Sequence, residues 1–162
     1  MSKLTPEQLN RYVVDEIRRA ATELDVPVEE LPADQVMELR AALGQVYGSG
    51  GGPLTFETMT GKASRQKEDG YLDLAGFLRP GPHTLFYDSP GFADRAGVRF
   101  ADGSGVSPVL AECFGFPFYV TDEEHTFVVG MNDHDYLIGV GTAAPWVAIT
   151  LPTRRGPPRP SR

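Results

Sequence analysis

Cysteine is nearly absent from this chain. Cys113 is the single one among 162 residues, so no internal disulfide can form and a reducing compartment is the simplest setting. No apolar run approaches the roughly 20 residues that a membrane span needs. The opening residues MSKLTPEQLNRY lack the apolar stretch of a signal peptide. These absences lead to the expectation of a cytoplasmic protein that does not engage membranes. Internal repeats are also missing.

Nucleotide motifs fail on inspection. In Gly61-Lys62-Ala63-Ser64, a phosphate loop would need glycine where Phe56 stands and Ser or Thr where Ala63 stands. Gly48–Gly52 has no G-x-G-x-x-G spacing leading into a helix, and reads as a linker. Ser104, in Gly103-Ser104-Gly105, lacks the outer frame of a nucleophile elbow.

Positive charge is scarce except at one end. Lys and Arg number 15 against 22 Asp and Glu, for a net charge of −7. The last twelve residues hold Arg154, Arg155, Arg159 and Arg162 and no acid, so setting those four charges aside leaves −11 on residues 1–150. An acidic body opposes phosphate-backbone binding, so no nucleic-acid partner is expected. It suits a basic protein partner drawn in by electrostatic steering.

What remains is enough for one domain. Apolar residues make up 41% of the chain, and a chain of this length can bury a core without metal or disulfide help. Residues 1–151 read as a single domain, and 152–162 as a disordered tail rich in Pro and Arg.

Two helices are expected first. Thr5-Pro6-Glu7-Gln8 has the form of a capping box. Leu9, Val13, Ile17, Ala20 and Leu24 then follow a helical period, with a stop near Asp25 ahead of Pro27. Val36, Leu39, Leu43 and Val46 repeat the pattern up to Gly48, with Glu38 outward.

Strands are expected over Leu54–Thr60, residues 71–78 and Thr84–Asp88, with Val98–Phe100 at an edge. Ser107 and Pro108 read as the start of one or two helical turns. Phe116–Thr121, Thr126–Met131 and Tyr136–Val140 are aromatic and β-branched, and read as an antiparallel meander. Ala143–Leu151 adds a strand or a short helix. The sum is an α+β fold, an N-terminal helical hairpin packing both its stripes on one face of a mostly antiparallel sheet.

The stretch VTDEEHTFVVGMNDHDYLIG, residues 120–139, concentrates the chemistry-bearing side chains. His125 and His134 flank the middle strand of the meander, which would hold them at opposite ends and unable to share an ion. Asn and Asp there also suit turns. No catalytic set, metal site or cofactor is expected. Cys113 beside Glu112 reads as a structural thiol, His83 as an exposed turn residue, and Trp146 as a core anchor.

The favoured function is a non-enzymatic, immunity-like interaction module that neutralises a basic partner such as a toxin. Asp122, Glu123, Glu124, Asp133 and Asp135 are its contact residues. The alternatives are a small hydrolase or metal-dependent enzyme using a turn histidine, and an adaptor or subunit of a larger assembly.

Overall fold

A computed structural model describes residues 6–88, 96–113 and 115–149, with the side chains of 6–10 left aside. The capping box at Thr5 and the Pro/Arg-rich tail lie outside the described residues.

Helix α1 (Pro6–Leu24) buries Val14, Ile17, Ala20 and Ala21. That stripe is rotated from the expected one, for Val13 is only half-buried and Leu24 is exposed. The helix ends where Asp25 takes a left-handed φ of 57° and the Val26 amide donates to the Ala21 carbonyl at 2.8 Å. Strand β1 (Val28–Glu30) follows, then helix α2 (Ala33–Tyr47), which stops at Gly48.

The rest of the chain supplies β2 (Ala63–Gln66), α3 (Gly70–Asp73), β3 (His83–Tyr87), β4 (Ala96–Phe100), α4 (Val106–Ala111), β5 (Phe118–Asp122), β6 (Phe127–Met131), β7 (Tyr136–Gly141) and α5 (Ala143–Ala148). The described strands form one antiparallel sheet in the order β1-β4-β3-β5-β6-β7-β2. The α+β class, the helix pair and the β5-β6-β7 meander agree with the sequence reading.

The two helices nevertheless lie on opposite faces. Strand side chains alternate, so each strand feeds two cores. Leu85, Tyr87, Val120 and Val129 join Val14 and Ile17 of α1, together with residues of α4 and α5. Phe86, Tyr119, Val128 and Ile138 join Val36 and Leu43 of α2. Strand β1 is the reason. It pairs with β4 at the sheet edge, and the chain passes around that edge between the helices. Strand β4 is therefore interior, between β1 and β3, rather than at an edge.

Two expected strands are other structures. Residues 54–60 are turns with a single bridge, Gly48 to Met59. The Thr58 hydroxyl bonds the Thr55 backbone in place of a ladder partner. Leu54, Phe56 and Met59 still enter the α2-side core. Residues 70–76 are helical, α3 and then a 3-10 turn. There Leu74 and Leu78 are buried while Leu72 is exposed, so the operative spacing is four rather than two.

The Ser107 region is helical as expected, but the helix begins at Val106, two residues before Pro108, so Ser107 does not cap it. Ser107 is buried inside it, its hydroxyl donating to the Tyr71 carbonyl at 2.9 Å. Ala143–Ala148 is a short helix.

Candidate functional site

Both acidic turns are held rigid by their own hydrogen bonds. In the β5–β6 turn, the Asp122 carboxylate accepts from the Thr126 amide at 2.8 Å and from the Thr126 hydroxyl. His125 sits at φ 57°, and its carbonyl accepts from the Tyr47 hydroxyl at 2.6 Å, which ties the turn to α2. Glu123 pairs with Arg99 of β4. Glu124 is exposed.

In the β6–β7 turn, Asn132 Oδ1 accepts from the amides of His134 and Tyr136 at 2.9 and 3.0 Å. Asp135 takes φ 63°. His134 Nε2 lies 3.6 Å from Asp133 Oδ1, with the two side chains 77% and 73% exposed, so water screens that contact almost fully.

The two turns stand at opposite ends of β6. Its five residues, at about 3.3 Å each, span roughly 17 Å. His125 and His134 are thus kept apart. The five contact residues divide the same way, with Asp122, Glu123 and Glu124 at one rim of the sheet and Asp133 and Asp135 at the other. They do not form one patch. Among the described residues no three His, Cys, Asp or Glu side chains gather as a metal site would require.

A recess opens beside each turn. At the Asp133 rim, a cavity of about 340 Å³ is lined by Glu68, Tyr71, Cys113, Phe116, Asp133 and Asp135, among others. Cys113 is half-buried rather than enclosed. Burial first, and then Glu16, push its thiol up to about 11, against the ionisation a nucleophile needs.

At the Asp122 rim, a larger recess of about 770 Å³ runs between the 76–83 segment and the β5–β6 turn. Here the sequence reading of His83 is overturned. It is the first residue of β3 and only 3% exposed. His83 extends the alternation of Leu85 and Tyr87 toward the α1-side core, a period-two signal visible in HTLFY. Its Nδ1 lies 2.9 Å from the Gly81 carbonyl, which also accepts from the Gly103 amide. Gly103 has no room for a Cβ, which would meet the ring at 2.7 Å. No protein-family model, curated protein or solved structure matches this chain.

A second cluster escaped the sequence reading. Arg40 of α2 is fully buried, its guanidinium 5.1 and 5.0 Å from the ring centroids of Phe86 and Tyr119, which themselves stack at 4.8 Å. It donates to Asp88 Oδ1 at 2.8 Å and to the Leu54 carbonyl at 2.7 Å. The Tyr119 hydroxyl donates to Asp88 Oδ2 at 3.0 Å, and burial pushes that phenol up, so it stays a donor. Phe56 stacks on the other side of Tyr119 at 4.1 Å. The cluster locks α2 and the 54–60 turns onto the sheet. Its signal was the place of Arg40 on the stripe, four residues after Val36 and three before Leu43.

Trp146 is half-buried and stacks on Phe77 at 4.8 Å, joining α5 to the wall of the larger recess.

Proposed function

We propose that this protein is a non-enzymatic binding module for a basic protein partner, in the manner of an immunity protein that neutralises a toxin. The reading rests on one observation. Exposed carboxylates stand on two hairpin turns whose backbones are fixed by Asp122 and Asn132 before any partner arrives. Turns whose backbone is already ordered lose less freedom on binding, which favours affinity, and their exposed charges favour steering.

The net charge of −7 supports the same reading. No helix among the described residues is long and apolar enough to cross a membrane, and a cytoplasmic setting accords with the lone cysteine. Among the described residues the exposed large apolar ones, such as Tyr12, Met37, Val46, Leu72 and Ile149, are spread over several elements. That gives less support to an adaptor docking through an apolar patch.

The test is capture from the native host with the tagged protein, followed by affinity measurement on the co-purifying partner. The expected partner is basic, and its affinity falls at least tenfold as salt rises from about 0.05 M to about 0.5 M. Glu123→Lys with Glu124→Lys, or Asp133→Lys with Asp135→Lys, abolishes retention according to which rim is used. Retention that ignores both salt and both double variants refutes the proposal.

A further inference from the structure

We infer that the recess beside the β5–β6 turn is the receptor for an arginine side chain of the basic partner, with His83 as its buried acceptor. The inference rests on the proposed binding of a basic protein, and names the site at which one residue of that partner is read.

Buried polar atoms require partners, and His83 has one for only one of its nitrogens. Its Nδ1 is engaged by the Gly81 carbonyl. A carbonyl only accepts, so Nδ1 carries the hydrogen, and in the neutral ring Nε2 is left with a lone pair. Among the described residues no group donates to Nε2. Nor is it sealed away, for it is not among the enclosed unpartnered nitrogens, and His83 lines the recess. An acceptor is therefore held by a side chain 3% exposed, facing a cavity of about 770 Å³.

The remaining lining says which donor fits. Asp122, Glu123 and Glu124 are three carboxylates at the recess, against Arg79 as the one cation among the described lining residues. Asp122 is occupied by Thr126, and Glu123 by Arg99. Glu124 is thus the carboxylate left for a ligand, in the same recess as an Nε2 that accepts but cannot pair with an anion.

The flanking surface is apolar, with Phe77, Phe127, Pro80 and Pro82. Such walls suit the aliphatic stem of a long basic side chain. A guanidinium carries five donors in a planar fork and can meet an imidazole and a carboxylate together, which a compact ammonium does less well. An anion is disfavoured by the carboxylates. An apolar side chain would leave Nε2 dry and unpartnered.

The probe is the blocked tripeptide acetyl-Gly-Arg-Gly-amide, titrated into isotopically labelled protein and followed by NMR. The expected result is saturable shifts at His83 Nε2 and at the amides of Glu124 and Thr126. The uncharged citrulline peptide should bind at least about tenfold more weakly. Glu124→Gln, an exposed and structurally neutral change, should weaken the arginine peptide by a similar factor. His83→Phe should do the same, with fold retention checked by the unchanged shifts of β6 amides.

Shifts confined to the Asp133–Asp135 turn would overturn the recess and leave the broader reading standing. Equal binding of a lysine peptide would overturn the guanidinium assignment. No saturable shift anywhere would overturn this inference, while salt-dependent capture of a basic partner decides the broader reading by itself.

Discussion

Replacing Arg40 tests whether the α2 side of the molecule is held by one buried cation. Three losses follow from Arg40→Ala. The buried Leu54 carbonyl loses its 2.7 Å donor, costing about 1–3 kcal/mol for an unsatisfied group. The stacked rings of Phe86 and Tyr119 lose the guanidinium beside them, worth about 1–2 kcal/mol when desolvated. A void opens where a fully buried side chain stood. Asp88, 38% exposed, can take up water once abandoned, which keeps its share small. These terms overlap, so the whole is set at about 3–5 kcal/mol, the usual range for truncating a large, fully buried side chain to alanine.

Two companion variants separate the causes. Arg40→Met fills most of the volume and should cost about 1–3 kcal/mol, chiefly from the carbonyl. Asp88→Asn keeps one oxygen to accept from Arg40 but presents an N–H to the Tyr119 hydroxyl, which must turn to accept it, and should cost about 1–2 kcal/mol. Urea unfolding followed by circular dichroism, with slopes compared as well as midpoints, measures all three. An Arg40→Ala protein within about 1 kcal/mol of wild type would refute the reasoning. So would an Arg40→Met protein no better than Arg40→Ala.

Other variants probe further parts of the fold. Gly130→Ala on β6 would bring a Cβ to 2.1 Å from the Phe118 carbonyl, so backbone must move, and a loss of about 1–3 kcal/mol or more is expected in thermal unfolding. Thr126→Val removes the hydroxyl that Asp122 holds and leaves its amide in place; the loss should stay near 1 kcal/mol, with backbone order of the β5–β6 turn falling in NMR relaxation. Neutralising Glu123 by Glu123→Gln should change stability by less than about 1 kcal/mol, because its pair with Arg99 is exposed. Alkylation of Cys113 should be slow at pH 8 and rise up to about pH 11, because raising the thiol keeps it protonated until then; a rate at pH 8 equal to that of a free thiol would contradict this.

Some of this architecture could be read in the residues because local pattern and tertiary role coincide there. Phe118–Asp122, Phe127–Met131 and Tyr136–Gly141 are β-branched and aromatic, separated by turn-forming Asp and Asn, and they make the meander. The separation of His125 from His134 followed from that alone. Elsewhere the pattern was shared by two structures. Residues 54–60 alternate like a strand, yet threonine hydroxyls take the backbone bonds. Leu72, Leu74 and Leu78 fit a period of two or of four, and only packing chooses.

The burial of His83 and Arg40 was missed for another reason. Each depends on partners distant in the chain, Gly103 for the imidazole and Asp88 for the guanidinium. The sidedness of the two helices likewise turned on β1, a strand of three residues, too short to leave a periodic signal.

The order of the strands has a consequence for how the molecule assembles. Both flanking strands, β1 and β2, precede in the chain the partners that hold them, with Val28 opposite Phe100 and Ala63 opposite Gly139. Contacts of such long sequence separation are slow to form, since a large loop must close before it is rewarded. During synthesis the first sixty or so residues therefore wait for β4 and β7 to emerge. The meander is the natural nucleus, and the amino-terminal third docks on it from either side once it exists.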